Sequence, residues 1–403
     1  MSARAGAEVD TTVWREVGAP LVAATADGPL GGRTVAVKDL FAVAGYAIGA
    51  GVDDFLAERA PETDHAAVVA ELLAAGADIA GIARTDEFAY SITGGNGRTG
   101  MPVNPAAPQR IPGGSSSGPA VAVARGEADI GLGTDTAGSI RVPGSYQGLW
   151  GIRTTHAALD TTGLLPLAPS FDAIGWLARD AATLAAVADV LLGPPRRPAS
   201  GFGTVGDPWP QLLVDPALCA AAQPQTAERC LRAARGIGAE PIAPWAELDR
   251  WFGAFRLVQA YEAWAGHGTW ITAHPGALEA EVADRFAWAA TVTAEDAAAA
   301  RLVVAEAAAR IRAVVGDRVL VLPSTAGPPP YRDADRSTHE AMRTATLRLT
   351  CLASIAGLPA VTLPLPNQRD LPTGLCLLGA PHSDRALIRT AARCAAALTD
   401  SAR

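Results

Sequence analysis

The order of three short segments near the N-terminal end constrains this chain most. Residues 34–37, Thr-Val-Ala-Val, form a β-branched run that predicts a buried strand delivering Lys38 and Asp39 at its C-terminal end. Residues 65–76 then place Val68, Val69, Leu72 and Leu73 at helical spacing and close on Gly76, a helix C-cap signal. Residues 78–83 return to strand character. Strand, helix and strand in that order are the signature of a βαβ unit and predict a mostly parallel sheet.

The rest of the chain extends this pattern. Strand candidates follow at 129–132, 319–323, 360–365 and 374–379, and helix candidates at 119–125, 181–192 and 384–399. A proline-rich stretch, 194–210, marks a change in organisation, and residues 225–316 read as almost wholly helical. Sheet elements lie on both sides of that block. The expectation is one α/β domain over residues 1–403 carrying a helical insertion at 195–316.

Composition removes several function classes. With 49% hydrophobic and 18% charged residues the chain has ample material for a large core, which excludes disorder over most of its length. A net charge of -8 argues against a nucleic-acid partner, which needs a basic face to neutralise phosphates. Five scattered cysteines with no C-x-x-C pair and no histidine cluster predict packed, reduced thiols and no metal site. The first residues lack the apolar core of a secretory signal, and no run is long enough for a membrane helix. A cytoplasmic location without membrane attachment is the expectation.

Two glycine-rich loops carry the candidate chemistry. The first, Gly113-Gly-Ser-Ser-Ser-Gly118, ends a long irregular stretch from residue 94 and formally matches the G-x-S-x-G nucleophile elbow around Ser116. The elbow requires a strand directly before it, whereas Pro105, Pro108 and Pro112 withhold the ladder donors a central strand needs. Its histidine partner is also missing: His274, His339 and His382 sit in surface-like contexts, and His65, His156 and His267 look no more catalytic. A base must therefore come from elsewhere. Lys38 qualifies, because an ammonium at the end of a buried strand is driven toward its neutral form unless it is paired or reaches water.

In the second loop, Gly133-Thr-Asp-Thr-Ala-Gly-Ser139, small residues let successive backbone N–H groups converge on one point, the construction of an oxyanion hole. Ser139 follows directly. Asp135 and Arg141 read as a charge pair bracing the turn. Neither loop has the lysine or glycine spacing of a phosphate cradle.

Taken together, these residues resemble the amidase signature family. The resemblance rests on Val37-Lys38-Asp39, Gly113-Gly-Ser-Ser116 and Gly133-Thr-Asp-Thr-x-Gly-Ser139-Ile-Arg-Val-Pro143, with flanks at Asp86-Glu-Phe-Ala89, Asn104-Pro105, Gly148–Arg153, Ser170–Gly175, Gly357–Ala360 and Leu371–Gly374. It covers residues 30–180 and 319–390 and is much weaker over the helical block. It implies a three-layer α/β/α fold around a large mixed, mostly parallel sheet, and a Ser-cisSer-Lys triad. Carried over by position, Ser139 is the nucleophile, Ser115 the bridging serine after a cis peptide bond, and Lys38 the neutral base. The N–H groups of Thr136, Ala137, Gly138 and Ser139 form the oxyanion hole, and Ser116 supports the network. Ala137 stands where glycine is commoner in the family, which leaves the N–H in place. The short stretch before Lys38 implies that an N-terminal helical extension of many relatives is absent.

The implied activity is hydrolysis of a small amide through an acyl-enzyme, without a cofactor, and a homodimer is left open. Asp86–Ser91, Ile111–Ser117, Leu165–Asp172 and Gly175–Asp180 look most like short amidases related to indole-3-acetamide hydrolase, which suggests a largely apolar or aromatic primary amide. The Gly133–Ser139 turn is also reminiscent of allophanate hydrolases, and acyl transfer to an amine would use the same intermediate. Substrate walls are expected from residues 88–100 and 165–176 and from the helical block, with Trp176, Trp264 and Trp270 as candidates that read equally as core.

Overall fold

The computed structural model describes residues 9–193, 209–366 and 371–400, and all strands within them join one sheet. The strands are β1 (Trp14–Val22), β2 (Thr34–Lys38), β3 (Asp78–Ala83), β4 (Ile130–Asp135), β5 (Trp150–Arg153), β6 (Ala173–Ala178), β7 (Leu212–Val214), β8 (Glu240–Pro241), β9 (Val319–Pro323), β10 (Ala360–Pro364) and β11 (Gly374–Leu378). Their order is β1-β3-β2-β4-β6-β5-β10-β11-β9-β7-β8. The helices are α1 (Asp53–Ala57), α2 (Ala67–Ala74), α3 (Ser117–Arg125), α4 (Arg141–Gln147), α5 (Ala181–Leu191), α6 (Pro216–Ala220), α7 (Pro224–Gly236), α8 (Leu248–Ala273), α9 (Ala280–Ala289), α10 (Ala294–Val315), α11 (Arg336–Ala356) and α12 (Asp384–Asp400).

The expected βαβ unit is β2-α2-β3, with β2 parallel to β3 and also to β4. The sheet is mixed, but it is not mostly parallel. Parallel pairing is confined to β3-β2-β4 and β9-β7-β8, while the junctions from β4 through β6, β5, β10 and β11 to β9, and the β1-β3 edge, are antiparallel. The physical reason is visible at β10 and β11. The link between them is too short for the helical crossover that a parallel pair needs, so the chain returns antiparallel.

The block expected as a helical insertion also needs correction. It contains α6 to α10, but β7 and β8 lie inside it and finish one edge of the sheet through β9. Strands of three and two residues are too short to show a period of two. Most of the proline-rich stretch 194–210 lies outside the described residues.

Alternation along the strands separates the two faces. Val35, Val37, Leu132, Trp176, Val321 and Leu377 point to one face, where α2, α5, α7 and α12 pack. Ala36 and Leu177 point to the other face under α3, and Leu320, Leu322 and Leu378 do so under α8 to α11. Lys38 shares the parity of Ala36. The strand that supplies two core valines therefore sends its terminal lysine to the α3 side.

The helical layer is welded to the segment before β6 by aromatic contact. Phe255 of α8 is fully buried, with its ring centroid 4.7 Å from that of Phe171. Phe255→Ala is expected to lower unfolding free energy by about 3–5 kcal/mol, the usual range for a deleted core aromatic, measured by urea denaturation.

Candidate active site

Lys38 is the only lysine in the chain, among 33 Lys and Arg residues. Its side chain is fully buried, and Nζ lies 2.9 Å from Ser115 Oγ and 2.8 Å from Thr134 Oγ1. The neighbouring Asp39 does not neutralise it. That carboxylate turns to Arg15 at 3.1 Å and to the Gly49 N–H. Burial brings the Lys38 pKa down from 10.5 to about 7, against the opposing pull of Asp86, Asp172 and Asp135. Arginine at this position would stay protonated, so the residue type matters for proton transfer.

The first serine loop presents Ser115 to this amine. The Gly114–Ser115 peptide bond is cis. The loop is pinned by Gly114 N–H donating to the Ile92 carbonyl at 2.9 Å, and by the Thr85 hydroxyl donating to the Ser115 carbonyl at 2.8 Å. Asp86 accepts from the Gly94 N–H at 3.0 Å and packs so closely on Gly114 that a Cβ there would lie 2.5 Å from its carboxylate. Only glycine fits. Ser116 ties this loop to the second one, because its N–H donates to the Ser139 carbonyl at 3.3 Å and its hydroxyl to the Thr134 carbonyl at 3.3 Å.

The second loop wraps around Asp135, the last residue of β4. Arg141 donates from Nε at 3.0 Å and from Nη2 at 2.7 Å to the two oxygens of that carboxylate, which also accepts the N–H groups of Gly138 at 2.8 Å and Ile140 at 3.2 Å. Arg153 adds a contact at 3.4 Å and also donates to the Asp135 carbonyl. Although burial alone would raise its pKa, the two guanidiniums hold the Asp135 carboxyl well below the ordinary range. On the outer side of the turn, Thr136 Oγ1 donates to Asp172 and Thr350 Oγ1 donates to the Ala137 carbonyl.

This geometry departs from expectation in two places. The Gly138 N–H is occupied by Asp135, so among the described residues the inward N–H groups without a partner are those of Thr136, Ala137 and Ser139. Ser139 is 3% exposed, and its hydroxyl makes no hydrogen bond among the described residues, so the Ser139–Ser115 link of the expected relay is not closed here. Such links commonly tighten only when substrate arrives.

Trp176 is not a substrate wall. It lies on the opposite sheet face, where its indole N–H donates to the Leu184 carbonyl. Trp270 binds Glu58 and packs edge-on to Phe55 and Phe88, while Trp264 packs over Gly268 within α8. His267, which looked unremarkable in sequence, is buried and stacks on Phe88 at 4.5 Å. All five cysteines are free and buried.

Sequence reasoning gave no role to Thr134, Asp86, Asp172, Arg153 or Thr350. Asp86, Arg153 and Asp172 lie in segments that carried the resemblance, but their partners are set by the fold. Thr350 comes from a helix more than two hundred residues downstream of the turn. The lysine count was an available signal that would have singled out Lys38.

Comparison with known proteins agrees with this architecture. Residues 16–200 match the Amidase family model. The chain is 33% identical to Amidase 1 of Arabidopsis thaliana over 89% of this chain and 91% of that one. It is also 33% identical to 2-amino-5-chloromuconic acid deaminase of Comamonas testosteroni, over 90% and 80% of the two chains. A crystal structure of an amidase superposes with a TM-score of 0.81 at 28% identity, covering 93% of this chain and 86% of the other. The chain belongs to the amidase signature family. It is a hydrolase of amide C–N bonds, and no helix among the described residues is long and apolar enough to cross a membrane.

The Asp135 cluster makes a direct prediction. Asp135→Asn leaves two buried guanidiniums without their shared counter-charge and is expected to destabilise the fold by about 3–5 kcal/mol, read from chemical denaturation at neutral pH. Loss within a few tenths of a kcal/mol would contradict the bracing role.

Proposed function

We propose that Ser139 attacks the amide carbonyl, that Ser115 relays its proton, and that neutral Lys38 receives it. The observation that carries this reading is Lys38 itself: buried, without a carboxylate in ion-pair range among the described residues, and 2.9 Å from a serine whose loop is hydrogen-bonded to the backbone of Ser139. In the neutral state the amine accepts the Ser115 proton and donates to Thr134, which fixes its rotamer. The tetrahedral oxyanion is held by the N–H groups of Thr136, Ala137 and Ser139. Gly138 contributes by tying the turn to Asp135. The proton then returns through Ser115 to the leaving nitrogen, and water repeats the relay in reverse to release the acid.

Asp135 and Arg141 act as the brace and Ser116 as the link between loops. The substrate is a small amide, and the five buried free thiols favour a cytoplasmic setting.

Because the active base is the neutral amine, kcat/KM is expected to rise with pH through an apparent pKa of about 7 and to level off above it. Isotope labelling of lysine gives one side-chain resonance in this protein, so its titration can be followed directly by NMR. A Lys38 that titrates near 10.5 would refute the neutral-base assignment. Ser139→Ala is expected to lower kcat by about 10³-fold or more and to abolish labelling by a fluorophosphonate. Full activity in Lys38→Met would also sink the mechanism.

A further inference from the structure

A polar cavity, of about 200 Å³, opens between α8, α9 and α11, with Tyr90 in its wall. Its inner guanidiniums are Arg256, Arg285 and Arg343. Two of them share the carboxylates of Glu281 and Glu340: Arg285 at 3.2 and 3.7 Å, and Arg343 with Glu340 at 3.0 Å. Arg256 has no carboxylate in ion-pair range among the described residues and lies over the rings of Trp288 and Phe252. The remaining pair, Arg336 with Asp284, is an exposed rim contact. The inner cavity is therefore one negative charge short.

Arg343 shows the deficit most plainly. Its side chain is 10% exposed, and Nε is buried with no hydrogen-bond partner among the described residues. Burial and the neighbouring Arg285 push its pKa down to about 10. A guanidinium held this way is short of an acceptor, and a carboxylate matches its fork.

The wall of the cavity is tied to the serine loops by two chain connections. Tyr90, whose carbonyl accepts from Arg285 at 3.1 Å, lies two residues before Ile92, which receives the Gly114 N–H. On α11, Arg343, Thr346 and Thr350 follow one another at helical spacing, and Thr350 holds the Ala137 carbonyl of the turn that carries Ser139. Seven residues of helix place Arg343 about 10 Å along the axis from that contact. Tyr90, Ile92, Ala137 and Leu347 belong to one apolar cluster between the two ends.

We propose that this cavity is the distal part of the substrate site, where Arg343 with Arg256 binds a carboxylate at the far end of the amide. The inference rests on the amidase reading and narrows it: preferred substrates have an apolar stem with the scissile amide at one end and an anion at the other.

The test is steady-state kinetics on monoamides of linear dicarboxylic acids, from succinic to suberic, against alkanamides of the same lengths. At one or more lengths kcat/KM for the carboxylate is expected to exceed that of its neutral counterpart by about tenfold or more. Arg343→Met should raise KM for the charged amide by about tenfold, a loss several times larger than for the neutral one, and Arg343→Lys should recover part of it. Fluorophosphonate labelling of Ser139 reports that each variant is folded; if Arg343→Met fails to fold, Arg256→Met decides. No charge preference at any length, or equal losses on both series, overturns the proposal. An unlabelled wild-type Ser139 would instead overturn the nucleophile assignment, while any charge preference stays readable from turnover.

Discussion

Asp135 sits at the end of β4 with no solvent contact, and the groups around it are arranged to compensate that burial. Two guanidiniums and a set of backbone N–H groups converge on one carboxylate. An ion in such a place is tolerated only when its partners are complete, so the cluster admits little variation in the path of residues 135–141. That path decides where Ser139 stands and which N–H groups of the turn remain free. It also joins distant parts of the chain, since Arg153 comes from β5, and Thr350 of α11 closes the turn from outside.

Lys38 presents the opposite solution to burial, one step away on β2. It has hydroxyl partners in place of a carboxylate, so desolvation outweighs the more distant pull of Asp86, Asp172 and Asp135 and favours the neutral amine. The two sites are complementary. A fully paired ion gives rigidity to the turn, and an unpaired amine gives a proton acceptor beside it. Among the lysine and arginine positions, Lys38 is the one where a cation can lose its charge near neutral pH, because all the others are arginine.

Much of this was legible from local pattern. The strand at 34–38, the helix at 67–74 and the strand at 78–83 follow from β-branched runs and helical spacing, and the structure places them within a residue or two of expectation. The two glycine-rich loops were recognisable because small residues in series have few structural uses other than close backbone approach. Strand direction was less legible. Antiparallel pairing of β5, β6, β10 and β11 depends on link length and on which edges remain open, and neither leaves a periodic trace. The short strands β7 and β8 were hidden because runs of three and two residues are too short to show a period of two.

By itself the sequence determined the residue types that can carry the chemistry: one lysine at a strand end, serines in two small-residue loops, and an acid–base pair bracing the second loop. These are consequences of covalent identity and short-range spacing. Only the tertiary structure decided which of them meet. The Gly138 N–H is taken by Asp135, Asp39 is drawn away from Lys38 by Arg15, and Trp176 falls on the far face of the sheet. Each outcome depends on contacts between segments tens to hundreds of residues apart, where burial and electrostatic pairing are settled by packing that no local pattern encodes.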